Sequence, residues 1–128
     1  MDIVKTAGLL IRRMTLAMTI MIAAAGAASA DNFGAIAYSN TTGAYGYSYD
    51  HRSRGSAEVR AMSECRARGR GCKVAIWFKN ACGSVAAGSN GWGSAWASTR
   101  RDAERAAIRN CSRYTGGCRT VAWTCTSR

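Results

Sequence analysis

The sequence predicts an α+β domain. Two ββαβ repeats are expected to form a mainly antiparallel six-stranded sheet or half-closed barrel with two helices, pseudo-twofold and stapled by disulfides. Three observations predict it. The stretch SAEVRAMSEC at 56–65 returns forty-six positions later as DAERAAIRNC at 102–111, each copy closing on a cysteine. The same offset carries Cys65 to Cys111, Cys72 to Cys118 and Trp77 to Trp123. Around both copies run short segments of strand character, GAIAY, AYGYSY and CKVAIWF in the first and SVAA, WGSAWA and CRTVAWT in the second.

The chain opens on Lys5, Arg12 and Arg13, followed by an uncharged run from Met14 to the small-residue ending Ala28-Ser29-Ala30. That is the three-part pattern of a cleaved signal peptide. The run spans 17 residues and is diluted by Thr and Gly, whereas a membrane span needs about 20 apolar ones. Residues 1–30 are therefore expected to be removed on export, through the general or the twin-arginine route. They leave one mature domain, 31–128, with repeats at about 33–82 and 83–128 and a periplasmic or secreted destination. A chain of that size buries only about 60 to 70% of its unfolded surface, so its core is thin.

In the first repeat GAIAY reads as a strand, SNTTG as a turn and AYGYSY as a second, alternating strand. In the second, GSNG between SVAA and WGSAWA carries the Asn-Gly hairpin signal. Ser53 and Thr99 are the natural N-caps, and Thr99 to Asp102 has the capping-box spacing, so helices are expected to start near 54 and 100. Ala57, Ala61, Met62 and Cys65 form one narrow apolar stripe, and Ala103, Ala107, Ile108 and Cys111 repeat it. Gly69, Gly71 and the Gly116-Gly117 pair are expected to end the helices. CKVAIWF and CRTVAWT, apolar at alternating positions of both parities, read as interior strands.

All six cysteines fall in the mature part. In an exported chain of this length an even count reads as a disulfide framework rather than as catalysis or metal binding. Six cysteines allow fifteen pairings. Repeat symmetry selects Cys65–Cys72 and Cys111–Cys118, each stapling a helix to the next strand, with Cys82–Cys125 tying the two repeats together.

The chain carries 18 Lys and Arg against 7 Asp and Glu. Without the leader the balance is 15 to 6, a net charge of +9, and thirteen of those fifteen are arginine. Such a surface favours anionic partners, which its field attracts and guanidinium groups bind bidentately. The sharpest concentration is Arg101, Arg105, Arg109 and Arg113, which recur every four residues on one helix face. Like charges at that spacing repel mildly, so the row is either an acid-binding ridge or a solvated face. A second candidate surface is aromatic: Tyr45, Tyr47 and Tyr49 share one strand face, and Trp92 and Trp96 another. Such rows either stack rings of a ligand or pack as half-buried core. No nucleic-acid motif accompanies them.

Catalytic groupings are scarce. The single histidine, His51, lies beside Asp50 and near Ser53, but sequence neighbours seldom reach triad geometry and no nucleophile elbow is present. Cysteine spacing does not suit zinc, so no metal and no cofactor is expected.

GAIAYSNTTGAYGYS, GCKVAIWFKNACGSVAAG, AERAAIRNC and GCRTVAWTC together resemble the bacterial domain of unknown function 4189 family, over about Phe33 to Thr126. The resemblance implies a small, exported, disulfide-bonded protein and brings no catalytic residues with it. The sequence is thus expected to encode a non-enzymatic binding module that docks an anionic partner, envelope lipid, glycan or acidic protein. The alternatives are an inhibitor or effector of a periplasmic or extracellular enzyme, and a small hydrolase centred on His51.

Overall fold

The computed structural model describes residues 30–128, so the expected leader lies almost wholly outside the described residues. Six strands and two helices follow in the order β1 (Phe33–Tyr38), β2 (Tyr45–His51), α1 (Arg54–Arg68), β3 (Lys73–Lys79), β4 (Cys82–Ala87), β5 (Trp92–Ala97), α2 (Arg100–Ser112) and β6 (Arg119–Cys125). Each half is a ββαβ unit. The strands do not form one six-stranded sheet: β2-β1-β3 and β5-β4-β6 are separate antiparallel sheets, and among the described residues nothing closes them into a barrel.

The reason lies at the joint between units. Asn80 takes a left-handed φ of 49° and its amide donates to the Asn32 carbonyl, while Ala81 exchanges bonds with Thr126. The chain therefore turns out of the first sheet into a second layer instead of folding back as a hairpin. Helix, sheet, sheet and helix stack in four layers. Ile36, Tyr38, Phe78, Val85 and Ala122 fill the space between the sheets. Alanines and cysteines fill the outer seams, with Ala57, Ala61 and Cys65 against Ala35 and Ala37 on one side and Ala107 and Cys111 against Ala86 and Ala95 on the other.

Small residues in those seams let the helices lie close. A methyl group on Gly46 would stand 2.3 Å from the Ala61 carbonyl oxygen, and one on Gly93 2.3 Å from the Cys111 amide nitrogen. These two glycines are the points where strand backbone touches helix backbone. Serines handle the polar groups nearby: Ser48 Oγ donates to the Ala57 carbonyl at 2.6 Å, and Ser84 Oγ to that of Ala122 at 3.1 Å.

At the centre one ring does the work of two. Phe78 lies between Gly34 of β1 and Gly83 of β4, both so close that a Cβ on either would collide with it. The equivalent position in the second unit, forty-six residues on, is Thr124. The space at the pseudo-twofold admits one aromatic ring, and it comes from the first unit.

Three expectations need correction. CKVAIWF and CRTVAWT form β3 and β6, which are edge strands; the interior strands are β1 and β4. Helix and opposing sheet cover the two faces of β3 and β6, which makes them apolar at both parities, while their outer edges stay unpaired. A bulge falls between Ile36 and Ala37 on β1–β3 and between Val85 and Ala86 on β4–β6. It brings adjacent residues, Ala75 and Ile76, to the inter-sheet core. The Ala75 carbonyl accepts there from Ser94 Oγ of the other sheet at 2.9 Å. Second, α2 ends at Ser112 with Arg113 as its cap, before the Gly116-Gly117 pair; Gly117 instead supplies a left-handed turn with φ of 69°. Third, the disulfides are Cys65–Cys72, Cys111–Cys118 and Cys82–Cys125, but Cys82 and Cys125 face each other across β4 and β6. That bond pins two strands of one sheet and does not cross between the units.

Candidate functional site

Ser53 and Thr99 cap the helices, accepting from the amides of Ser56 and Asp102, so both start one residue later as their caps require. In α2, Ala103, Ala107 and Cys111 turn inward. Arg101, Arg105, Arg109 and Arg113 are exposed, and among the described residues none of them forms an ion pair. Most acidic groups are committed elsewhere. Glu58 holds Arg54 at 2.6 Å, Glu64 holds Arg60 at 3.0 Å, Glu104 holds Arg100 at 2.8 Å and Asp31 faces Lys79 at 3.7 Å. Asp102 sits in the first turn of α2, where a carboxylate suits the helix dipole.

The arginine row is not straight. Four residues overshoot one helical turn, so each successive arginine is rotated by about 40° around the axis. The row winds from the outer face of α2 toward β5. Its last member, Arg113, lines an open cleft of about 560 Å³ together with Asn40, Trp92, Ser94, Asn110 and Tyr114. Asn110 Nδ2 donates to the Ser94 carbonyl at 2.8 Å, which fixes the amide against β5. Trp92 is half-buried and rests on Tyr38 with ring centroids 5.8 Å apart. The Tyr114 ring is 74% exposed. Asn40 comes from the turn of the first unit and Tyr114 from beyond α2, and nothing in their sequence positions announced that they meet.

The aromatic rows are not brought together. β2 packs across β6, and β5 across β3, so the tyrosines and tryptophans lie at opposite edges of the sandwich. Tyr45 and Trp92 are half-buried and join the inter-sheet core. Tyr47, Tyr49 and Trp96 remain exposed, Trp96 by 60%. A pairing unnoticed in the sequence recurs instead: Arg54 lies over Trp77 at 4.5 Å and Arg100 over Trp123 at 3.6 Å. Each guanidinium is also gripped by its glutamate. The forty-six-residue offset from Arg54 to Arg100 was the signal for it. The glutamates neutralise the first arginine of each helix, and the stacks bind the helix to the edge strand behind it.

His51, Asp50 and Ser53 are not assembled as a triad. His51 Nδ1 lies 3.0 Å from Ser56 Oγ, Ser53 Oγ is occupied as a helix cap, and Asp50 turns away with a left-handed φ of 56°. Asp50 accepts from Ser127 Oγ at 2.7 Å and from the Ser127 amide at 2.6 Å. These two bonds hold its pKa below the usual aspartate value. A lowered folded-state pKa means that the stabilisation is fully present above the unfolded pKa and lost as pH falls through the folded one. The Ser127 amide resonance is therefore expected to hold steady down to about pH 4, then to move and lose exchange protection as Asp50 protonates. In Asp50→Ala that acid transition should disappear from the Ser127 signal.

The fold and this surface define a class: a disulfide-bonded, two-unit α+β sandwich with a row of four arginines, unpaired among the described residues, along its second helix. The family model for "Domain of unknown function (DUF4189)" matches residues 33–125. The chain belongs to that family. Among solved structures it is similar to "NMR structure of Rv1813c from Mycobacterium tuberculosis", with 32% identity, a TM-score of 0.55, and coverage of 73% of this chain and 74% of that one. No curated protein matches it. Among the described residues no helix is long and apolar enough to cross a membrane.

Proposed function

We propose that the protein is an exported, non-enzymatic binding module that docks an anionic partner through α2. The observation that carries this reading is the four-arginine row without acidic partners in a molecule whose other helix-borne arginine–glutamate pairs are closed. Three disulfides, with no free cysteine among the described residues, agree with an oxidising destination. A domain of this size gains nothing in stability from four like charges in a row. An anionic partner would turn that repulsion into binding.

The test separates the row from mere net charge. One variant changes Arg101, Arg105, Arg109 and Arg113 to Gln; a second, of equal charge, changes the exposed Arg52, Arg66, Arg70 and Arg119 to Gln. Sedimentation of the oxidised protein with anionic vesicles, and retention on an acidic-polysaccharide resin, are measured in low and in physiological salt. At about 1 kcal/mol per basic residue near an anionic surface, loss of the row is expected to weaken binding on the order of 1,000-fold, and loss of the control set far less. Binding that falls equally in both variants would reduce the row to bulk charge. Salt-insensitive capture of a partner protein would move the reading to an inhibitor or effector.

A further inference from the structure

We infer that the partner is a linear acidic polysaccharide, which follows the winding arginine row and seats one sugar acid in the cleft that ends it. This rests on the anionic-partner reading and narrows it. Three features of α2 and its neighbours carry the choice.

The first is the path of the row. Between Arg101 and Arg113 the helix advances about 18 Å while the row turns about 120° around the axis. A flat membrane meets the middle of such a row most directly and its two ends only through extended side chains. A flexible chain can wind with it and reach all four guanidinium groups.

The second is what the row lacks. Single-stranded nucleic acid is held by cations interleaved with aromatic platforms. The outer face of α2 carries Arg101, Asp102, Arg105, Arg109 and Ser112, with no ring among them. Only at the end of the track does Tyr114 appear.

The third is the chemistry at that end. The cleft offers one guanidinium, Arg113, beside the amides of Asn110 and Asn40, with Trp92 and Tyr114 as walls. A phosphate cluster calls for several cations, whereas a pyranose bearing one carboxylate calls for one. Its carboxylate suits the planar fork of arginine, its hydroxyls suit amides that donate and accept, and its C–H face suits an aromatic wall. The corresponding surface of the first unit is built differently. There Glu64 stands where Asn110 stands in the second unit, and it lines a cleft with Tyr47, Tyr49, His51, Arg60 and Arg68. Glu64 is closed against Arg60, and Arg68 is turned to the Tyr45 carbonyl and ring, so among the described residues the first unit's cleft offers no free amide beside an open guanidinium. The arrangement of Arg113 with Asn110, Asn40, Trp92 and Tyr114 is thus not repeated in the first unit's cleft.

The experiment titrates the oxidised protein with a short oligogalacturonate, its fully methyl-esterified form, a single-stranded oligonucleotide of similar length and anionic vesicles. The Trp92 indole and Asn110 amide resonances are followed by NMR. The acid form is expected to bind, to shift both resonances, and to weaken about tenfold or more on esterification, on Arg113→Gln and on Tyr114→Ala. Arg66→Gln, on the other helix, should bind as the parent does. Equal binding of the acid and esterified forms, shifts confined to other residues, or tighter binding of the oligonucleotide would each overturn the inference. If vesicles bind through the row and the oligogalacturonate does not, this inference fails and the anionic-docking reading stands. If neither binds, both fail.

Discussion

Replacing Phe78 by alanine is expected to lower the free energy of unfolding by about 3 to 5 kcal/mol, the largest effect of any single apolar truncation among the described residues. Phe78 is 2% exposed and is the largest fully buried side chain. Its ring fills two glycine-lined hollows at once, one on β1 and one on β4, so its removal leaves a cavity with no side chain on either wall able to collapse into it. The same truncation in an outer seam would not compare, because those seams are already alanine. A domain of about a hundred residues has only about 5 to 15 kcal/mol in hand. The measurement is the urea midpoint of the oxidised protein, with Phe78→Leu as the milder partner. A loss below about 1.5 kcal/mol, the range of a well-tolerated volume-conserving swap, would show that the sheets can close over the gap and that the ring is not the keystone of their contact.

The second large effect is expected from the bond between β4 and β6. Removing it by Cys82→Ser with Cys125→Ser should cost up to about 4 kcal/mol on loop-entropy grounds, against about 2.5 for either short staple. The cause is sequence separation, 43 residues for Cys82–Cys125 and 7 for each of the other two. The long link excludes far more of the unfolded ensemble. Three double-serine variants, unfolded side by side in urea, give the order directly. A short staple costing more than the long one would mean that native contacts at the helix ends, not chain entropy, set the value of these bonds.

What could be read in advance depended on the range of the interaction concerned. Helix starts at Arg54 and Arg100 followed from Ser53 and Thr99, since a cap acts on the amide three residues away. The alanine stripes were visible because four-residue spacing is itself the geometry of a helix face. Sheet membership was not visible. Alternation tells which side of a strand is covered, but not which neighbour bonds its edge, so β3 and β6 looked interior. The four arginines could be placed on one side of a helix from spacing alone. Their cleft could not, because Asn40 and Tyr114 belong to different units and line one cleft only when the two sheets are packed. The Arg54–Trp77 and Arg100–Trp123 stacks were legible in principle through their shared offset, yet alone each residue looks like ordinary surface charge or core.

The single ring at the axis also decides what the two halves have become to each other. A symmetric pair of first units would bring two phenylalanines to the glycine-lined space that one ring already fills, and a pair of second units, with Thr124 at that position, would bring none. The mixed pair supplies one ring. The halves are therefore complementary parts in the manner of a lock and its key, and neither can replace the other. The molecule has the outline of a homodimer and the logic of a heterodimer.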